Sequence, residues 1–248
     1  MNLYRLVLVI AAIIGIVTIS TISASLFAPI EPTDAEGCSD VHMSWKYKGH
    51  HISTGVCIPR SDLEGYGNSI VPRCFCVCSY DRYVTPADST VVQIADHLKS
   101  VTEGMDDLER LHAVNSFINQ TIEYESDSVM HGIPDYYQYP AETVYSGKGD
   151  CEDSAFLEIS VLRAMGYDAV PLFTHDHCLV GVNIEGTGNN TDVIGTAYYH
   201  LDPTTGESLG SSEYPDGGLI TITKGFSMAI LGIVVCAMLL LVYAFRRF

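Results

Sequence analysis

The chain has 248 residues, 30 Asp and Glu against 13 Lys and Arg, and a formal net charge of −17. All 30 acids lie between Glu31 and Asp216 with only nine of the basic residues, so that stretch is near −21. Such a surface repels nucleic-acid phosphates and anionic headgroups, which excludes a nucleic-acid partner. The polar middle, roughly 195 residues, is long enough for one domain with a real core.

In chain order the first element is apolar. Leu6 to about Phe27 follows Arg5 and is long enough to span a bilayer as a helix, which needs roughly 20 residues. Ser23-Ala24-Ser25 also fits a signal-peptide cleavage region. The last segment, about Phe226 to Phe245, closes on Arg246-Arg247 and reads as a stop-transfer helix. Basic flanks stay in the cytoplasm, so the middle is expected outside the cell membrane, whether or not the leader is removed.

The expected organisation is an N-terminal transmembrane helix or signal anchor (1–28), a cysteine-rich β region (29–87), an α+β core (88–223) and a C-terminal transmembrane helix (224–248). Val41 to Tyr47 alternates, Lys48-Gly49 is a turn, and His51 to Ile58 completes a hairpin. Ile70 to Tyr83 is a further strand region. Helices follow over Ser89–Val101 and Met105–Ile122, each with apolar residues at helical spacing. A Tyr-rich loop then leads to a third helix, from Cys151 to a stop at Gly166. Strands are expected near 169–174, 177–184 and 196–202, with a loop over 186–192 between the last two. Helices followed by an antiparallel sheet make an α+β arrangement.

Cysteine use points to an oxidising compartment. Cys38, Cys57, Cys74, Cys76 and Cys78 crowd the front, and their odd number leaves one to pair with Cys178 or stay free. At least two disulfides are expected among these six. Paired C-x-x-C units are lacking, and no metal or cofactor is expected. Asn119 and Asn189 match the glycosylation pattern.

The chemistry gathers at Gly149-Asp150-Cys151-Glu152-Asp153. Asp150 stands where an N-cap belongs, and Asp153 is spaced to close back as an acidic capping box. That puts the Cys151 thiol in the first turn of a helix, where free N–H groups favour the thiolate. Three neighbouring acids oppose it, so a cationic partner is needed. His177 opens a strand pattern and is aimed more rigidly than the loop residue His175. Asp202 ends the next strand, where a carboxylate would fix the imidazole. Gln138 and Tyr139, just before the helix, are oxyanion-donor candidates beside the Cys151 N–H.

Tyr139-Pro-Ala-Glu-Thr143, Gly149-Asp-Cys-Glu-Asp153, Leu162-Arg-Ala-Met-Gly-Tyr-Asp168 and His177-x-x-Val-Gly-Val182 together resemble the transglutaminase-like domains of archaeal and bacterial surface proteins. The resemblance runs from about Ser44 to Thr205. It implies a papain-like core, with Cys151 as nucleophile, His177 as base and Asp202 as orienting acid. The Cys74-Phe-Cys-Val-Cys78 cluster lies outside that pattern. The function expected is a membrane-anchored, extracytoplasmic thiol acyl-transfer enzyme on peptide or isopeptide bonds of a protein or peptide. A cross-linking transglutaminase and a non-catalytic surface binding module are the alternatives.

Overall fold

The computed structural model describes residues 37–69, 80–174, 176–184, 191–193 and 196–206. Both apolar end segments, Cys74, Cys76, Cys78, Asn189 and His175 lie outside these residues. Among the described residues no helix is long and apolar enough to cross a membrane.

The described residues all belong to one compact unit. It opens with a hairpin of β1 (Cys38–Tyr47) and β2 (His50–Pro59), antiparallel with Tyr47 opposite His50. The turn is tight because Lys48 and Gly49 both take positive φ, 47° and 84°. Alternation sorts the faces: Met43, Trp45, Val56 and Ile58 point into the core, while His42, Ser44 and Lys46 face out. Cys38 and Cys57 form a disulfide that ties the open ends of the two strands, their Cα atoms 5.5 Å apart.

Helix α1 (Arg60–Gly67) follows directly, a helix where the alternation had suggested only strands. Tyr80–Arg82 is a 3-10 turn and not the end of a strand. Helices α2 (Ser89–Val101) and α3 (Asp107–Thr121) start on real caps. Asp88 accepts from the Thr90 N–H at 2.8 Å, and Asp106 from the Glu109 N–H at 2.8 Å. Val91, Ile94 and Leu98 of α2 and Leu111, Val114, Phe117 and Ile118 of α3 are buried. Trp45 meets Phe117 edge to face at 5.7 Å, so the hairpin shares the helices' core and is no separate layer.

A short parallel pair, β3 (Glu123–Tyr124) with β4 (Lys148–Gly149), brackets α4 (Asp127–Met130) and α5 (Pro140–Ser146). The Lys148 ammonium lies 3.0 Å from Glu125 and 3.5 Å from Glu123, across that pair. Helix α6 (Cys151–Met165) is the centre of the fold, buried from Asp153 through Leu162. It stops at Gly166, which takes φ 104° to turn the chain into the sheet.

The sheet runs β5 (Asp168–Phe173), β6 (Cys178–Asn183), β8 (Thr196–Leu201), β7 (Thr191–Val193), antiparallel throughout. Strand β7 lies partly inside the stretch expected to be loop. Cys178, Val180, Val182, Tyr199 and Leu201 join the same core as the helices. Helices packed on one antiparallel sheet make the α+β class.

Candidate active site

Each expected catalytic residue stands at the end of an element. Cys151 is the first residue of α6, His177 comes just before β6, and Asp202 comes just after β8. Val180 pairs with Leu201, so the end of β8 meets the start of β6. His177 Nε2 lies 3.1 Å from Asp202 Oδ2.

Asp202 is 5% exposed and held from several sides. Its Oδ1 accepts from the Thr204 hydroxyl at 2.6 Å and the Thr204 N–H at 2.9 Å. Burial alone would raise its pKa, but the bonds from His177 and Thr204 outweigh that and bring it down to about 2. The same bond to Asp202 raises the pKa of His177, against the opposing effect of burial. Asp202 therefore stays anionic and favours the charged imidazole. Because Nε2 faces Asp202, Nδ1 is the nitrogen left for another partner.

Cys151 is a free, partly exposed cysteine. Its thiol lies 3.1 Å from Glu152 Oε2 and donates there, not to His177. The backbone N–H of Cys178, next to His177, donates to the same sulfur. Burial first, then the charges of Glu152 and Asp150, push the thiol pKa up, and the Cys178 N–H only partly offsets this. The helix-start lowering expected from sequence is thus reversed by desolvation and neighbouring carboxylates. Asp153 does not close a capping box. Its Oδ1 accepts from the Gln138 N–H at 2.7 Å and its Oδ2 from Gln138 Nε2 at 2.6 Å. Gly149 is required here, since a Cβ would come within 2.7 Å of Asp153 Cβ.

The oxyanion candidates are corrected on the same grounds. Gln138 Nε2 also donates to the Lys148 carbonyl at 3.1 Å, so both amide hydrogens are engaged and its side chain has none for an oxyanion. Tyr139 stacks on Tyr66 at 4.2 Å and meets the Ser69 hydroxyl at 3.3 Å. Tyr137, buried at 2% exposure, is the aromatic closer in effect to the sulfur. Burial first, then the charges of Asp135, Glu152, Cys178 and Cys151, raise its phenol pKa.

Cys178 is a free, buried thiol and not half of a disulfide. Its side chain packs in the core shared by the helices and the sheet. Asn119 is half-buried on α3 and donates its amide to the Thr204 carbonyl at 2.7 Å, so that nitrogen is not open to a glycan.

Five carboxylates crowd this helix start, two of them, Asp127 and Asp135, from outside its own sequence stretch. Oxygens of Asp127, Asp135 and Glu152, and of Asp127, Asp150 and Asp153, lie within 4.8 Å of one another. Asp127 Oδ1 and Asp150 Oδ1 are buried with no donor among the described residues. Burial is the largest cause, with mutual repulsion added, that raises the pKa of Asp127, Asp150, Glu152 and Asp153. Carboxylates so placed must share protons or a cation. An all-oxygen set of this kind suits a hard divalent ion such as Ca²⁺. Two turns further along α6, Glu158 is fully buried and neither of its carboxyl oxygens has a partner among the described residues.

Residues 77–176 match the family model described as bacterial transglutaminase-like cysteine proteinase BTLCP. No curated protein matches the chain. Among solved structures the chain is similar to Legionella pneumophila LapG, EGTA-treated, at 23% identity over 53% of this chain and 71% of that one, with a TM-score of 0.42. The calcium-bound form of LapG gives the same identity and TM-score over 53% of this chain and 73% of that one. A structure described as that of a cysteine protease from Cytophaga hutchinsonii is 15% identical over 71% of this chain and 69% of that one, with a TM-score of 0.34. The family match spans the Cys151 motif and ends just before His177. Over residues 77–176, which hold Cys151 and the start of its helix, the chain is similar to the bacterial transglutaminase-like cysteine proteinases.

Proposed function

We propose that the protein is a thiol peptidase or amidase, anchored in the cell membrane with its folded domain outside. Cys151 is the nucleophile, His177 the base and Asp202 the residue that orients it. The observation that carries the reading is the 3.1 Å contact of His177 with a buried, anionic Asp202, at the sheet end where the Cys178 N–H reaches Cys151.

In this reading His177 Nδ1 takes the thiol proton and the sulfur attacks a peptide carbonyl. The backbone N–H of Cys151, at the free end of α6, faces the developing oxyanion. Proton return from His177 to the leaving amine yields a thioester. Water, deprotonated by the same imidazole, then releases the acid and restores the thiol. A divalent ion among Asp127, Asp150, Glu152 and Asp153 would supply positive charge that relieves their repulsion and lowers the thiol pKa. Asp150 and Glu152 act on Cys151 directly, so that relief bears on the nucleophile. The outside location rests on the flanking arginines and on the Cys38–Cys57 disulfide.

The contact of the thiol with Glu152 favours a second reading, a non-catalytic binding module on the same fold. The two separate on one assay. The full chain is incubated with a mixed peptide library, with and without an added primary amine. The peptidase reading expects new free carboxylates that vanish in Cys151→Ala. Incorporated amine would turn the reading to a transglutaminase, and identical traces for wild type and variant would leave the binding module.

A further inference from the structure

Strand β3 adjoins the candidate active site through its partner strand. Tyr124 stands opposite Gly149 in the parallel register, and Cys151 follows Gly149 by two residues, at most about 7 Å along the backbone. The pairing leaves one edge of β3 open. The N–H groups of Glu123 and Glu125 donate to the Gly147 and Gly149 carbonyls at 2.9 and 3.0 Å, so the N–H and C=O of Tyr124 between them point the other way. Among the described residues nothing in the backbone bonds to that N–H or that C=O. Alternation divides the side chains as well. Glu123 and Glu125 share one face, where Lys148 engages both. The Tyr124 ring takes the other face, that of Gly149, on which Asp153 of α6 packs. The ring is 59% exposed. Burial first, and then the charges of Cys151, Asp150 and Glu152, raise its phenol pKa, which puts the ring within the field of the nucleophile.

From this we infer that the open edge of β3 is where the peptide substrate docks in extended form, with an apolar side chain of the peptide laid against the Tyr124 ring. The inference rests on the peptidase reading and deepens it by naming a substrate class. A strand added to a free edge gains main-chain hydrogen bonds, and side-chain contacts set its preference. The Tyr124 N–H offers a donor and its C=O an acceptor, and one residue of an extended peptide supplies the complement of both. The exposed ring offers apolar surface whose covering by a substrate side chain is favourable. A basic side chain fits less well. Glu123 and Glu125 are turned to the other face and engaged by Lys148, and the acids beside Cys151 share protons or a cation. The face toward the thiol is therefore aromatic in character rather than anionic. An edge only two residues long suits a short contact beside the scissile bond.

The test is direct binding to the full chain carrying Cys151→Ala, so that no probe is turned over. The probes are capped tripeptides with leucine, glycine or lysine between two alanines, and the leucine peptide with all its backbone nitrogens methylated. Each is titrated with Tyr124 intact, with Tyr124→Ala and with Tyr124→Phe. The leucine peptide should bind most tightly. Methylation should weaken it about tenfold, the scale of one lost hydrogen bond. Tyr124→Ala should bring the leucine peptide down to the glycine peptide, and Tyr124→Phe, which keeps the ring, should restore the difference. Tighter binding of the lysine peptide, equal binding of leucine and glycine, or a leucine affinity indifferent to methylation or to Tyr124→Ala overturns the inference. Cleavage by the unmodified chain alongside such indifference would leave the peptidase reading standing. Binding as expected without any cleavage would refute the peptidase reading alone.

Discussion

Glu158 offers the most quantitative check on this structure. It sits in the middle of α6, 0% exposed, with neither carboxyl oxygen hydrogen-bonded among the described residues. Burial, with the charge of Asp202 second, holds its carboxyl well above the usual Glu range. The folded chain therefore keeps a proton that the unfolded chain releases near pH ~4.3. For an acid whose pKa is raised on folding, stability is greatest below the unfolded value. It then falls as pH rises, by up to about 1.4 kcal/mol per pH unit, until the folded pKa is reached. Glu158→Gln removes the ionisation but keeps a buried polar group. Its gain over wild type should be small near about pH 5 and grow steadily toward about pH 8. Glu158→Met also removes the unsatisfied oxygens, worth about 1–3 kcal/mol, and should add roughly 2–4 °C in Tm for each kcal/mol. Thermal unfolding of the full chain, followed by near-UV circular dichroism across that pH range, reads both effects. A Gln gain that does not change with pH, or a Met variant that unfolds at lower temperature than wild type, refutes the reasoning.

The remaining expectations follow from the same geometry. Asp202→Asn should cost about 2–3 kcal/mol at neutral pH, from a folded pKa of about 2 against an ordinary value near 3.9. That contribution is present above pH ~4 and is lost as pH falls toward about 2, so the variant's acid unfolding limb should flatten. A variant as acid-sensitive as wild type would contradict the pairing with His177. The contribution of His177 runs the other way, being full below its unfolded pKa near ~6.5 and lost as pH rises through its raised folded value. Ca²⁺ should raise Tm and EGTA should reverse the gain, with Asp127→Asn blunting both, and a Tm indifferent to Ca²⁺ would count against the carboxylate cluster as a cation site. Reducing Cys38–Cys57, which closes a 19-residue separation, should cost about 2–4 kcal/mol, and unchanged urea unfolding after reduction would contradict a structural role. A cysteine placed at Ser61 should label from outside intact cells and one placed at Phe248 should not, and external labelling at Phe248 would overturn the topology.

What the sequence made legible is mostly what periodicity controls. The apolar spacing over Ser89–Val101 matched α2 to the residue, because Asp88 is both a strong cap and the start of the pattern. Gly166 marked the end of α6 because only a left-handed residue turns the chain there. Cys151, His177 and Asp202 were identified from their element ends, and all three stand at those ends. Local patterns were blind to contacts made across the fold. Asp153 looked like a cap, yet it holds Gln138, fifteen residues away in sequence. Helix α1 was hidden because Arg60–Gly67 has no buried residue and hence no apolar face to show. The carboxylate cluster was hidden because Asp127 and Asp135 reach Glu152 only through the folded loop before α5. With burial added, those acids reverse the sign of the thiol shift that the helix start alone would give.

The central claim is that Cys151 reacts as a nucleophile through His177. It is tested most directly by the rate at which iodoacetamide modifies Cys151 across pH, read by mass mapping of the full chain. With Ca²⁺ present to offset the carboxylates that raise the thiol pKa, wild-type Cys151 labelling should persist below neutral pH, while the buried Cys178 stays unmodified. In His177→Ala, Cys151 should fall back to the profile of an ordinary thiol, with a pKa of about 8.5 or higher. Identical Cys151 profiles with and without His177 would contradict the account and leave the fold as a binding scaffold.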